Sequence, residues 1–339
     1  MTRLCVGVVA AACAVAGLQT PVDSQGRARP AMFPTKEQFA ASSEAQRRVA
    51  AARALAKNDL VKEFETVCSS TGPQRAAVAR EAAGLPPLPN TPVEPTKIFD
   101  NMWFLGPNAQ GAFVITTSAG LILLDTLNDT AEARDILVPS MRKAGLDPEQ
   151  IKYVVVSHGH AGQTDHTGGA SYIQSTYKPR VLMGKPDWDA IIPAQRPDNP
   201  MPKRDIEVTG DYKLTLGDTT LTLAPLPGHS PGTLAIFVPV KDKGRPTTAM
   251  VFASLQVPSR ESARALERVI NTHGRPMKAE TILNSHPGIF QDTLAWMDTI
   301  RKNPQGPNPA LYGVERFDRY MSIMVECGHA RAAALEPQS

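Results

Sequence analysis

Residues 157–169 read SHGHAGQTDHTGG. Three histidines (His158, His160, His166) and Asp165 fall within nine residues there, and imidazole with carboxylate is the donor chemistry of a transition-metal site, zinc above all. In an extended segment, side chains at i and i+2 project to the same side. His158 and His160 can therefore clasp one ion, while Asp165 and His166, read as a helix start, reach a neighbouring one. Two further histidines follow strand-like runs: His229 in LPGHSPGT (226–233) and His286 in NSHPG (284–288). One histidine after a strand is more often structural than a ligand. Two that complete a local cluster read differently. His273, in the polar turn NTHGRP, and His329, on a C-terminal helix, are expected at the surface.

The loops need rigid elements to aim them. LILLD (121–125) is a buried strand ending on the acid Asp125, and IKYVVV (151–156) is another that leads straight into the histidine cluster. Between them TAEARDILVPSMRKAG has helical periodicity, and a helix follows Gly168-Gly169. Further strands are expected at 98–105, 112–117, 180–183, 212–216, 219–223, 234–238 and 248–252, with a helix at 261–272, the strand TILNS and a helix from Gln291. Clusters of strands and helices alternate twice, which places the chain in the α/β class with two facing sheets and helices outside.

At the N-terminus a short basic start precedes the uncharged run Leu4 to Leu18, and Ala14-Val15-Ala16 offers a small-residue cleavage signal. That is the secretory pattern, and the run is shorter than the roughly 20 apolar residues of a spanning helix, so no stable membrane span is expected. The organisation read from this is a signal peptide at 1–20, an Ala-rich helical preamble with a Pro-rich connector at 21–95, and one larger domain at 96–335, in a periplasmic or secreted protein. Export leaves Cys68 and Cys327 as an even pair in an oxidising compartment, which is a disulfide candidate; two separately buried thiols are the other reading. The 36 basic and 33 acidic residues are mixed along the chain, with no basic face for nucleic acid.

SHGH…DH, then PGHSPGT, then SHPG, with Asp125 ending an earlier strand, resembles the metallo-β-lactamase superfamily from about residue 96 to 300. It is most similar to the β-lactamase subclass that lacks a zinc-binding cysteine, in which a serine takes that place; Ser254 follows the strand AMVF here. The resemblance implies a four-layer αββα sandwich holding two zinc ions. His158, His160 and His229 would hold the first, and Asp165, His166 and His286 the second. Asp165 would also orient the water nucleophile, and Ser254 would order solvent or substrate, unless it is a plain turn residue. Asp125 is either an acid orienting a ligand or a strand-end turn cap. Gln256 stands where the subclass commonly has a serine that contacts the substrate carboxylate.

The family motif H-x-H-x-D-H has one residue between its second histidine and the aspartate; here there are four, Ala161 to Thr164. Counting back from Asp165 would put Ala161 and Gln163 in the ligand places. The histidine pair is favoured, because imidazole is the better ligand and Ala161-Gly162 can bulge outward at small steric cost. The implied activity is hydrolysis of a small-molecule β-lactam amide by a zinc-acidified water. The alternatives are a lactonase or thioesterase on the same scaffold, which commonly carries a metal-bridging aspartate absent after Phe252 here, or a weakly catalytic or non-catalytic homologue with an altered zinc loop.

Overall fold

The computed structural model describes residues 33–72, 84, 90–162, 164–195, 197–198, 200–252, 257–287 and 293–335. The expected signal peptide at 1–20, together with Gln163, Ser254 and Gln256, lies outside the described residues.

Two sheets form from runs whose apolar residues recur with period two or fill the strand outright. The first holds β1 (Thr96–Phe99), β2 (Met102–Leu105), β3 (Ala112–Thr117), β4 (Gly120–Leu124), β5 (Ile151–Val155), β6 (Arg180–Gly184) and β7 (Ile206–Val208) in that order. Its β1 to β4 pair antiparallel and its β4 to β7 parallel. The second holds β8 (Tyr212–Leu216), β9 (Thr219–Pro225), β10 (Leu234–Asp242) and β11 (Arg245–Val251), all antiparallel, with β12 (Ala279–Leu283) parallel to β11.

Side-chain alternation separates the layers. On β3, Phe113 and Ile115 face the second sheet while Val114 faces helices; on β10, Leu234, Ile236 and Val238 face the first sheet while Ala235 and Phe237 face helices. The first sheet is covered by α4 (Val138–Lys143), α5 (Ala170–Tyr177) and α6 (Lys185–Ile191), through Met141, Ile173 and Trp188. The second is covered by α7 (Arg260–Val269) and α9 (Val314–Leu335), while α8 (Thr293–Lys302) lies against the inter-sheet core through Met297. The arrangement is the expected four-layer αββα sandwich. Helix α6 and strand β7 are additions to the expected elements. Pro186 and Asp187 in the first turn of α6 are ordinary helix-start chemistry beside a Pro-rich loop.

The helical preamble supplies α1 (Lys36–Ala41), α2 (Ser43–Ala56) and α3 (Val61–Val67). Phe317, Tyr320, Met324 and Cys327 recur at helical spacing along α9 and share one core with Ala52, Ala56, Leu60 and Val67. Cys68 closes α3 and is joined to Cys327 by a disulfide, with Cα atoms 4.9 Å apart. One turn further along α9, the fully buried Arg331 has carbonyls for partners and, among the described residues, no carboxylate. It donates to the Val257 oxygen from Nε and Nη2 (3.2 and 3.1 Å) and from Nη1 to the oxygens of Val67 (2.5 Å) and Ser69 (3.3 Å). Burial lowers its pKa to about 10, so the guanidinium stays charged at neutral pH. Among the described residues no helix is long and apolar enough to cross a membrane.

Candidate metal centre

The expected ligands come from loops at the carboxyl ends of strands, where open α/β sheets place their sites. β4 ends on Asp125, β5 delivers Ser157 and His158, the β9–β10 loop carries His229, and β12 runs into His286. The five histidines meet. Ring centroids of His158 lie 4.2 Å from His166, 4.6 Å from His229 and 5.1 Å from His160. Nε2 of His160 is 2.8 Å from Nε2 of His229, and Nε2 of His166 is 3.1 Å from Nε2 of His286. One ligand atom from each of His158, His160 and His229 lies within 4.8 Å of the others, and the same holds for His158, Asp165 and His166. His158 thus belongs to both sets.

The hydrogen-bond network fixes which nitrogens carry protons. His286 Nδ1 sits 2.9 Å from the Ala109 carbonyl oxygen, which can only accept, so Nδ1 bears the hydrogen and Nε2 presents a lone pair. His166 Nδ1 lies 2.8 Å from the Asp125 Oδ2, and a carboxylate imposes the same assignment. With both rings neutral, two lone pairs face each other at 3.1 Å, an arrangement that a cation between or beside them would relieve. Nε2 of His158 is buried without a hydrogen-bond partner. Burial first, and then the facing imidazoles of His166, His229, His160 and His286, hold its pKa well below the usual histidine value, so it too offers a lone pair. An orphaned buried nitrogen costs about 1–3 kcal/mol, which a bound metal removes. Convergent imidazole and carboxylate donors fit a metal ion of the zinc type.

Asp125 bonds to His166 and also ends β4 in a turn. Its carboxylate orients His166, and also accepts from the Ser157 backbone (2.8 Å, Oδ1) and the Ser157 hydroxyl (3.0 Å, Oδ2); that hydroxyl lies 3.2 Å from His158 Nδ1. It is also a strand-end turn residue, at φ +63° with its own N–H bonded to the Val155 oxygen. His166 sits at φ +69° in a turn, and α5 begins at Ala170 rather than at the Asp165-His166 pair. Left-handed backbone at non-glycine residues costs about 1–3 kcal/mol and persists where surroundings over-determine it. Here the Thr126 N–H and hydroxyl both bond the His166 oxygen at 2.9 Å. Gly168 and Gly169 let the two backbones approach so closely, since a Cβ on Gly168 would lie 1.9 Å from the Asn128 oxygen.

In the lengthened loop, Ala161 and Gly162 are exposed, and Gly162 takes φ +74° with open space around it. His158 and His160 lie against His229, while Ala161 is exposed. His273 and His329 depart from expectation, each only 9% exposed. The polar neighbours of His273 mislead: the last turns after α7 tuck its ring beside Phe237 (centroids 5.7 Å), with Nε2 on Asp211 at 2.8 Å. His329 lies on the packed face of α9, where burial and the nearby Arg48 lower its pKa. Neither joins the metal cluster.

Asp187, at the start of α6, is missing from the expected set. It is fully buried, and its oxygens accept from Gly159 N (2.8 Å), Ser230 Oγ (2.6 Å) and Gly232 N (2.7 Å). It therefore ties the loop of His158 and His160 to the loop of His229.

A family model described as the metallo-beta-lactamase superfamily matches residues 105–242. The N-acyl homoserine lactonase of Bacillus thuringiensis is 25% identical over 140 residues, 40% of this chain; the chain spans about half the length of the curated relatives it matches. Among solved structures, BJP-1, a subclass B3 metallo-beta-lactamase of Bradyrhizobium japonicum, is 26% identical with a TM-score of 0.56, over 69% of this chain and 92% of that one. The FEZ-1 metallo-beta-lactamase of Legionella gormanii shares the fold at 22% identity and TM-score 0.57, over 69% and 94% of the two chains. That match spans the strands and loops that carry His158 to His229 and these enzymes share the same sandwich, so residues 105–242 are identified as a metallo-beta-lactamase superfamily region.

Proposed function

We propose that the protein is a secreted dizinc hydrolase that opens the β-lactam amide. The observation that carries this reading is the convergence of six donor side chains, with His166 Nε2 and His286 Nε2 facing each other 3.1 Å apart. His158, His160 and His229 would hold one zinc, and Asp165, His166 and His286 the other. Zinc supplies Lewis acidity there, polarising a carbonyl and lowering the pKa of water to about 7.

The chain's own groups do the positioning. Asp125 keeps His166 in the tautomer that presents Nε2, and the Ala109 oxygen does the same for His286. The Asp165 carboxylate would orient the attacking water and accept its proton. Exposed Ala161 and Gly162 carry the extra loop length away from the ligands, which supports a competent site over a spoiled one.

β-Lactams are favoured over lactones by the subclass B3 likeness, which covers 92% of that enzyme, and by the Ala253-Ser254 sequence where a bridging aspartate would stand. The lactonase relative supports the rival substrate over half its length. Purified mature protein is expected to hydrolyse nitrocefin, to lose turnover with a chelator and to regain it with added zinc. A kcat/KM for N-acyl homoserine lactone exceeding that for nitrocefin and other β-lactams would replace the substrate assignment.

A further inference from the structure

Resting on the metal reading above, we infer that Asp187 is the positioning residue for the three-histidine half of the centre. The two halves are supported differently. On the Asp165-His166-His286 side, Asp125 touches a ligand ring directly, through His166 Nδ1. On the other side the carboxylate holds the loops that carry the rings. Asp187 instead takes the backbone N–H of Gly159, the residue between His158 and His160, and on the β9–β10 loop the hydroxyl of Ser230 and the N–H of Gly232, just after His229.

These three bonds cross 28, 43 and 45 residues of sequence, so one carboxylate sets the distance between the two loops that carry His158, His160 and His229. The approach is tight on every side. A Cβ on Gly232 would lie 2.6 Å from the Asp187 carboxyl carbon, and one on Gly184, just before α6, would lie 2.1 Å from the Gly232 oxygen. The Ser230 hydroxyl is held in turn by Thr233 Oγ1 at 2.8 Å.

The arrangement also accounts for how the loop tolerates its extra residues. Gly159 is anchored by Asp187, and His166 by Thr126 and Asp125. The added length falls between these two anchors, at exposed Ala161 and Gly162, so the ligands on either side keep their places.

Asparagine tests the carboxylate without changing its size. Both oxygens of Asp187 face a backbone N–H, so an amide must turn its NH2 group toward one of them, and one loop loses its anchor. The measurement is cobalt affinity, followed by the visible absorption of the bound ion, in two single-site backgrounds: His286→Ala reports the three-histidine half and His229→Ala reports the other.

Loss of an outer partner lowers metal affinity by roughly 10–100-fold. Asp187→Asn is expected to do so in the His286→Ala background and to leave affinity in the His229→Ala background almost unchanged. Ser230→Ala, which removes one of the three bonds to Asp187 together with the contact to Thr233 Oγ1 and leaves Asp187 in place, is the milder companion should the asparagine variant misfold. It is expected to weaken the same half roughly 2- to 12-fold.

Equal losses in both backgrounds, or no loss in the first, would overturn the assignment while leaving the metal reading intact. Failure of the unsubstituted protein to bind cobalt would overturn the metal reading itself, and this inference with it.

Discussion

Replacing His158 with glutamine, which keeps most of its volume, is expected to cost the centre more than any other single ligand change. His158 belongs to both donor sets and is the most enclosed of the cluster's rings outside His166. Each other histidine ligand is proposed to serve one ion, whereas the removal of His158 withdraws a donor from the three-histidine set and opens the wall against which His166 stacks at 4.2 Å. Metal content is expected to fall from two ions per chain to one or none. Nitrocefin turnover is expected to drop by more than the roughly 10–100-fold typical of losing an outer partner. Near-normal metal content and turnover in His158→Gln would show that the ions, if bound, are held elsewhere.

The second large effect concerns stability rather than chemistry. Substituting Cys68 and Cys327 together by alanine is expected to lower the free energy of unfolding by about 2–5 kcal/mol, measured by urea titration. The bridge ties residues 259 positions apart, so most of the effect comes from the constraint it places on the unfolded chain. In the folded protein Arg331 still holds the carbonyls of Val67 and Ser69 on either side of Cys68, and α2 and α9 still share their core. Metal content is therefore expected to survive the double substitution. Dithiothreitol should destabilise the wild-type protein to the same extent and leave the double variant unchanged. A double variant as stable as the wild type would mean that Arg331 and the helix packing suffice.

The sandwich was legible because its strands advertise themselves. Alternation in β3 and β10 assigns each side chain to the inter-sheet core or to a helix-covered face, and the parallel strands β4 and β5 read as unbroken apolar runs. The histidine cluster was legible because histidine is scarce and five of the seven fall in three loops that follow strands. What escaped depended on contacts across the fold. Asp187 looks like an ordinary acid in a helix start, and only the meeting of Gly159 and Gly232 around it gives it a role. Arg331 reads as a surface residue until its three carbonyl partners, from two distant segments, are brought to it. His273 was misplaced because its sequence neighbours are polar whereas Phe237 lies beside its ring, and His329 because every residue of α9 from Cys327 to Ala334 is buried.

The claim underlying all of this is that the histidine cluster is a two-metal centre. Counting metal in the purified protein by elemental analysis, after dialysis against metal-free buffer containing a trace of zinc, tests it most directly. The account predicts two zinc ions per chain, falling to one in His286→Ala and to one in His229→Ala. A protein that folds, keeps its Cys68–Cys327 bridge and carries no zinc would contradict it.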